Sequence, residues 1–189
     1  MPELNELIYK CLQKDKRSEY QLYRTCFSML MRICIRYTKN EDDAAAQLNA
    51  GFYKILTNLS SYDSTRSFDT WAKSIMINTI IDEFKSNKRF IQTMKPVDFV
   101  DFDTSMHPKN MNEAEENLNF NELLKIIQKL PEPEQTIFNL FVFDGFSHKE
   151  ISKTIGVPES TSRWHLANAR KFLQTKINAL QPETKSQIV

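Results

Sequence analysis

Apolar residues recur every three or four positions through most of the chain, which predicts a succession of amphipathic helices. The first half of the sequence predicts four of them, over residues 4–12, 18–38, 40–59 and 68–87. Asn40 is a suitable N-cap for the third helix, because the acidic residues that follow it favour the positive end of a helix dipole.

The spacing also predicts which side chains form the core. The second helix is expected to bury a stripe made of Tyr20, Tyr23, Phe27, Leu30, Cys34 and Tyr37. The third is expected to present Ala45, Leu48, Phe52, Ile55 and Leu59 on its apolar side. Phe68 and Trp71 open the fourth helix at helical spacing, and we interpret both as core residues.

The periodicity stops between residues 96 and 112, where two prolines and three aspartates stand among scattered aromatics. This composition predicts a connector without regular structure. Helices resume beyond it, with one ending at Pro131 and another extending over residues 132–143.

The stretch over residues 147–171 predicts two helices joined by a tight corner. Ser147 and Glu150 have the spacing of a capping box, Gly156 stands where the first helix must stop, and Pro158 suits the first turn of the second. This is the helix-turn-helix plan, in which the second helix meets base edges in the major groove. Spacing alone leaves DNA binding and a plain packing hairpin equally open.

Composition favours an all-helical protein, since 189 residues include only three glycines. Three cysteines match no zinc spacing and no secretion signal precedes them, so buried free thiols in a reducing cytoplasm are expected. No apolar run approaches the roughly 18 residues of a membrane span. We therefore expect a cytoplasmic protein without membrane insertion.

Net charge is unevenly distributed. Residues 1–95 hold 15 Lys/Arg and 11 Asp/Glu, residues 96–121 hold one and six, and residues 122–189 hold nine and seven. Two mildly basic modules therefore flank an acidic connector. Such weak positivity argues against tight independent binding to duplex DNA, since that affinity grows with the number of phosphates neutralised.

Taken together, several short segments resemble an extracytoplasmic-function sigma factor of bacterial RNA polymerase. They are NAGFYKI at 49–55, FDTWA at 68–72, IMINTIID at 75–82, LP at 130–131, DGFSHKEI at 144–151 and ARK at 169–171. The resemblance implies an all-α fold of two small helical domains joined by a flexible acidic linker. Its expected parts are a region-two-like bundle over 1–95, the linker over 96–112, a region-four-like helix-turn-helix domain over 113–182, and a tail over 183–189.

The resemblance also implies roles for individual residues. The −35 promoter element would be read as duplex by Glu159, Ser160, Thr161, Arg163, Trp164, His165, Asn168 and Lys171. The −10 element would be read as melted strand by Ser61, Tyr62, Asn78, Asp82, Lys85, Lys88 and Arg89. Core polymerase would be bound through Leu48, Asn49, Phe52 and Ile55.

Some of these roles have structural alternatives. Trp164 could pack on a sugar or on a thymine methyl group, and it could equally stabilise the hairpin from inside. Asn78 could contact a base or be a buried polar residue. The cluster Lys85, Lys88 and Arg89 could bind phosphates or form an ordinary solvated surface. Alanines at 44–46 and 50 stand where the family usually has acidic groups, which predicts weaker and less salt-sensitive docking on polymerase.

The implied partners are core RNA polymerase, at its clamp and flap, promoter DNA, and an anti-sigma factor. No catalytic residues, metal site or cofactor are expected, because the chain has no glycine-rich phosphate loop and no metal-spaced His/Cys set. The main alternative is a free-standing helix-turn-helix regulator, which would bind duplex sites tightly without polymerase. A protein-interaction scaffold is a further alternative if the basic surfaces have no function.

Overall fold

The computed structural model describes residues 2–86 and 120–180, and within these ranges the chain forms eight α-helices and no strand. The helices are α1 (Pro2–Leu12), α2 (Lys16–Tyr37), α3 (Glu41–Thr57), α4 (Phe68–Ser86), α5 (Phe120–Ile127), α6 (Glu132–Phe138), α7 (His148–Ile151) and α8 (Glu159–Leu180). A 3₁₀ turn, Leu59–Ser61, follows α3, and π turns Asn139–Phe143 and Ser152–Gly156 follow α6 and α7. The predicted all-α class is confirmed.

The chain divides into two compact units, Met1–Asn87 and Lys88–Val189. The predicted linker over 96–112 and the tail over 183–189 lie outside the described residues. No helix in the described ranges combines the length and the apolar character needed to cross a lipid bilayer.

In the N-terminal unit, α2 packs against α1, α3 and α4, and α3 also packs against α4. Local polar contacts fix where the helices begin. The side chain of Asp15 accepts a hydrogen bond from the Ser18 amide, and that of Asn40 accepts one from the Asp43 amide. Each cap satisfies an amide that has no partner inside its own helix. The predicted Asn40 cap is confirmed, while α2 begins two residues earlier than the sequence predicted.

The buried stripe of α2 differs from the predicted one. Leu22, Cys26, Leu30, Ile33, Cys34 and Tyr37 are buried. Tyr20 and Phe27, by contrast, are 63% and 40% exposed. Tyr23 is half-buried, with its ring edge against Phe52 at a centroid separation of 5.0 Å. Tyr20, Tyr23 and Phe27 therefore lie at or outside the rim of the core, while the predicted core positions Leu30, Cys34 and Tyr37 are confirmed.

The three thiols are free and buried, as the sequence predicted. Burial raises the pKa of Cys11 to about 11 and the pKa values of Cys26 and Cys34 to about 12. A thiol with such a pKa stays protonated at neutral pH, so these cysteines behave as small apolar core residues.

In the C-terminal unit, α8 packs against α5, α6 and α7. The fully buried aliphatic side chains of this core are Ile127, Leu130, Ile137, Leu140 and Ile151, and the polar residues Asn139, Thr161 and Ser162 are fully buried as well. The helix predicted over 132–143 is present, but its second half widens into the π turn. Gly145 follows with φ of +76°, a conformation that glycine adopts without steric strain.

Candidate nucleic-acid interface

The helical hairpin predicted over residues 147–171 is present and is capped as expected. Ser147 Oγ accepts a hydrogen bond from the Glu150 amide, and Glu150 Oε2 accepts one from the Ser147 amide at 2.8 Å. Glu150 Oε2 also accepts from the Ser147 hydroxyl at 2.7 Å, and this bond, followed by the one from the Ser147 amide, lowers the pKa of Glu150. Gly156 ends the first helical segment with φ of +83°, so the chain turns sharply into α8. The corner thus fixes where α8 begins.

One side of α8 is open to solvent. Arg163 and Lys171 are exposed there, and Ser160, Trp164 and Asn168 are half-buried beside them. These positions follow the three- and four-residue spacing of one helical face. Its residues include a guanidinium, an ammonium, a hydroxyl and an amide, the groups that bind phosphates and base edges.

Arg163 already has an ionic partner on the same helix. Its Nη2 lies 3.2 Å from Oε2 of Glu159, and the two side chains are 58% and 43% exposed. An exposed pair of this kind contributes little to stability, about 0–1 kcal/mol. The guanidinium can therefore exchange Glu159 for a DNA acceptor at small cost.

Two of the predicted DNA-contacting residues are not on this face. Thr161 is 0% and His165 is 2% exposed, because both point from α8 into the domain core. The Nδ1 atom of His165 lies 2.9 Å from Oε1 of Glu134, which stands in the first turn of α6. The prediction that Thr161 and His165 face DNA is therefore wrong. The partner that buries His165 is 31 residues away in sequence, so helical spacing could not identify it.

In the N-terminal unit, the loop between α3 and α4 is held in one shape by its own polar groups. The Tyr62 hydroxyl donates to the Arg66 carbonyl oxygen at 2.7 Å. Asp63 Oδ1 accepts from the amide and hydroxyl of Thr65, and these bonds lower the pKa of Asp63. Ser61 is exposed at the start of this loop.

Three aromatic rings form a cluster under the loop. The Tyr62 ring lies 5.2 Å from Phe68 and 5.3 Å from Trp71, centroid to centroid, and the latter two are 5.6 Å apart. Phe68 is 4% exposed, in agreement with the predicted core position, whereas Trp71 is half-buried. The cluster supports Tyr62 from below and leaves part of its surface accessible.

An open cleft of about 290 Å³ lies between α1 and this loop. Its walls are formed by Asn5, Ile8, Tyr9, Leu12, Leu59, Ser60, Tyr62 and Ser64. Sequence reasoning included Tyr62 but missed the contribution of α1. The available signal was Tyr9, an aromatic residue that is 63% exposed although Ile8 and Cys11 of the same helix are buried.

The polar residues predicted on α4 share one exposed face. Asn78, Asp82 and Lys85 are all exposed, which excludes the buried alternative for Asn78. Asp82 Oδ2 lies 3.1 Å from Nζ of Lys54 on α3. Lys88 and Arg89, which were predicted to extend this face, lie outside the described residues.

The predicted polymerase-binding residues separate into two groups. Leu48, Phe52 and Ile55 are 1%, 7% and 0% exposed inside the N-terminal core. The prediction that they dock on another protein is therefore wrong for these three. Asn49 is exposed, and its Oδ1 accepts a hydrogen bond from the Tyr23 hydroxyl at 3.2 Å. Tyr53, which was not predicted, is 68% exposed one turn further along α3.

Comparison with known proteins identifies similar regions in both units. The model of Sigma-70 region 2 matches residues 22–90, and that of Sigma-70, region 4 matches residues 120–173. RNA polymerase sigma factor SigV of Bacillus subtilis is 22% identical over 169 residues, which cover 87% of this chain and 96% of that protein. RNA polymerase sigma-H factor of Pseudomonas aeruginosa is 24% identical over 185 residues, 94% of this chain and 93% of that protein.

Among solved structures, the chain is similar to that of sigma factor RpoE of Bartonella quintana, in complex with the anti-sigma factor NepR. It shares 17% sequence identity with this chain at a TM-score of 0.49, and the match covers 86% of this chain and 98% of that one.

Proposed function

The chain belongs to the sigma-70 family as an RNA polymerase sigma factor of the extracytoplasmic-function type, and from that premise we propose how its two domains divide promoter recognition. It directs promoter-specific initiation of transcription, with region 2 in the N-terminal domain and region 4 in the C-terminal domain. The domain borders proposed from the sequence are 1–95 and 113–182.

The C-terminal domain reads the −35 element as intact duplex. The observation that carries this proposal is the capped hairpin, whose outer helix exposes Arg163 and Lys171 on one face. A guanidinium reads guanine through its O6 and N7 acceptors, and an ammonium neutralises a phosphate. Ser160, Trp164 and Asn168 complete the proposed contact surface, and Glu159 releases Arg163 as the duplex arrives.

The N-terminal domain captures the −10 element as separated strands. The cleft beside Tyr62 is open to solvent and has aromatic and hydroxyl groups in its walls. An aromatic ring supplies about 1–3 kcal/mol per stacked base, which offsets the stacking lost when a base leaves the duplex. Asn78, Asp82 and Lys85 form the neighbouring polar face, with Lys88 and Arg89 proposed to extend it.

Core polymerase is bound through the exposed side of α3. Asn49 and Tyr53 remain accessible there, and of the alanines that stand where acidic groups were expected, Ala46 and Ala50 are exposed whereas Ala44 is buried. This docking therefore relies on apolar and hydrogen-bonding contacts more than on charge. The acidic segment over 96–112 is proposed to occupy the polymerase channels that later hold nucleic acid.

Three further properties follow from the family assignment as proposals. The chain has no catalytic activity of its own, since it supplies specificity to an enzyme that holds the active site. It acts in the cytoplasm, where that enzyme works. An anti-sigma factor restrains it, and affinity purification of the full chain from cells of its source tests for such a partner.

The assignment of the −35 element to the C-terminal domain and of the −10 element to the N-terminal domain is tested by run-off transcription. The assay uses core RNA polymerase and a promoter library randomised in both elements. The full chain should select two short motifs at a fixed separation. Lys171→Ala should weaken all promoters to a similar degree, because a phosphate contact carries no sequence information. Lys176→Ala is the matched control, because it removes the same charge from the same helix outside the proposed contact face.

Two results would contradict the proposal. The purified chain could bind a duplex site tightly without core polymerase and add no promoter specificity to it, as a free-standing regulator would. Alternatively, transcription could depend on neither motif when the chain is present.

A further inference from the structure

Trp164 occupies an unusual position on the outer helix of the hairpin. It follows Arg163 directly and stands at the edge of the solvent-facing side, where its ring is half-buried. The indole packs edge-on against the imidazole of His165, with a centroid separation of 4.8 Å and an interplanar angle of 80°. A contact of this geometry restricts the ring on the side of His165, while the residue as a whole keeps partial exposure to solvent.

The imidazole that supports Trp164 is itself anchored from another helix. His165 Nδ1 lies 2.9 Å from Glu134 Oε1, and the two side chains are only 3% and 12% exposed. A polar group this buried is stable only when it is hydrogen-bonded, so the pair holds a defined geometry. Glu134 therefore fixes the orientation of His165, which in turn limits the orientations that Trp164 can adopt.

A major-groove surface offers an indole one preferred apolar target. Among the four bases only thymine presents a methyl group in that groove, at C5, and apolar side chains recognise it by direct contact. A ring held in place before binding loses little conformational freedom on contact, which favours affinity and discrimination. Arg163, the adjacent residue, is exposed on the same side of α8, and its guanidinium is suited to guanine.

We propose that the buried Glu134–His165 pair positions Trp164 to contact the C5 methyl group of a thymine in the upstream duplex element. This inference rests on the proposed reading of that element by the C-terminal domain. Trp164 is then a specificity-determining residue, and Glu134 and His165 are positioning residues that act through it.

The test uses holoenzyme reconstituted from core RNA polymerase and the full chain, on the best promoter from the randomised library. Each thymidine of the upstream element is replaced in turn by deoxyuridine, which removes the methyl group and leaves base pairing unchanged. Competition binding measures the ratio of affinities for the two promoters. The natural chain should prefer thymine at one position by about fourfold, the factor that corresponds to burial of one methylene-sized group.

Variants then separate contact from positioning. Trp164→Ala should bring the ratio to one. Glu134→Gln should reduce it while discrimination at the guanine read by Arg163 persists, which shows that the domain remains folded. Glu132→Gln is the matched control, because it makes the same change two residues earlier on α6 at a half-buried position. It should leave the ratio intact.

If Glu134→Gln prevents folding, Glu134→Asp keeps the carboxyl group on a shorter side chain and should give a ratio between one and that of the natural chain. The inference is overturned if Trp164→Ala keeps the preference for thymine, or if a folded Glu134 variant keeps it in full. It is also overturned if the natural chain does not distinguish deoxyuridine from thymidine at any position. Those results leave the proposed function intact, which fails separately if transcription ignores the upstream sequence altogether.

Discussion

Lys54 Nζ and Asp82 Oδ2 lie 3.1 Å apart across the interface of α3 and α4. The carboxylate that the sequence assigned to strand capture is therefore already neutralised by a cation of the same domain. The two side chains are 44% and 62% exposed, so this pair contributes at most about 1 kcal/mol to stability. The pair can therefore open for a ligand.

This geometry predicts separate effects on stability and on promoter opening. Asp82→Asn should leave the thermal unfolding midpoint almost unchanged but alter which base is preferred in the −10 element, because a carboxylate accepts from cytosine and an amide can also donate. The measurement pairs calorimetry with open-complex formation on −10 variants. Asp69→Asn, an exposed change at the other end of α4, is the control. An unaltered −10 preference would remove Asp82 from the interface.

A second prediction concerns Tyr62, whose hydroxyl and ring have different tasks. Tyr62→Phe loses only the bond to the Arg66 carbonyl oxygen, so stability should fall by about 1 kcal/mol and strand opening should persist. Tyr62→Ala also removes the stacking surface and should weaken open complexes by about 1–3 kcal/mol. Permanganate footprinting of the opened strands measures both.

Equal effects of the two Tyr62 substitutions would mean that the loop shape matters and the stacking surface does not. A heteroduplex promoter that is already unpaired at −10 provides the control. On that template Tyr62→Ala should still bind more weakly, because the stacked base is missing a partner even when no duplex has to be opened.

A third prediction follows from the close approach of α3 and α4. A Cβ added to Gly51 would overlap the Sδ and Cε atoms of Met76, and Met76 is fully buried with its sulfur 3.6 Å from Cys34 Sγ. Gly51→Ala gains about 1 kcal/mol of helix propensity, but overpacking costs typically about 1–3 kcal/mol. The net effect should be destabilising.

The matched test is a double-mutant cycle with Met76→Ala, followed by chemical denaturation of the full chain. Met76→Ala alone leaves a cavity and should cost about 2–5 kcal/mol. In the Gly51→Ala background that cost should be smaller, because the added methyl group fills part of the space. Strict additivity would show that Met76 simply moves aside.

The sequence predicted most helix positions and the caps of α3 and α7 because those signals are local. The Ser147–Glu150 box and the left-handed Gly156 each involve residues within one turn of a helix end. The buried stripe of α2 was mispredicted because Tyr20, Tyr23 and Phe27 have the same spacing as the residues that are actually buried. Only the packing of α1, α3 and α4 against α2 decides which of the two faces of α2 is buried.

The candidate site was predictable to the extent that it depends on exposed positions of one helix. His165 and Thr161 were assigned to the wrong side because a polar residue is usually exposed, and here a distant carboxylate satisfies His165. The cleft beside Tyr62 involves α1, more than forty positions earlier in the chain, and helical periodicity carries no information about such a pairing. Tertiary contacts, rather than helix propensity, determine the burial of His165 and Thr161 and the shape of the cleft beside Tyr62.

A fourth prediction concerns pH and His148, which links the two helices of the hairpin. Its Nδ1 lies 2.9 Å from Ser162 Oγ, and its ring stacks on Phe141 at 4.5 Å. Burial first, and then the positive charges of Arg163 and Arg170, lower the pKa of His148 below its ordinary value of 6.5, while Glu159 opposes them. The folded chain therefore binds this proton less readily than the unfolded chain.

Because the unfolded state takes up more protons, stability should fall as the pH drops below about 6.5, and it should level off above that value. His148→Gln removes the titration, so its unfolding midpoint should depend less on pH between 5 and 8. The difference between the two curves isolates His148 from the other histidines. Parallel curves would contradict the predicted shift.

A final prediction separates polymerase docking from folding on α3. Leu48 is 1% and Tyr53 is 68% exposed, although both stand on the helix proposed to meet the polymerase. Leu48→Ala should cost about 2–5 kcal/mol of stability, because it leaves a cavity among buried side chains.

Tyr53→Ala should leave the unfolding midpoint unchanged and weaken binding to core polymerase, since aromatic side chains often dominate such interfaces. Tyr20→Ala, which removes an exposed tyrosine of α2, is the control for general loss of surface aromatic area. Fluorescence anisotropy at increasing salt measures each affinity. The natural chain should show only a shallow salt dependence, because uncharged alanines stand at the exposed positions 46 and 50 of this helix. A steep dependence, or full affinity of the Tyr53 variant, would mean that another surface of the domain docks on the enzyme.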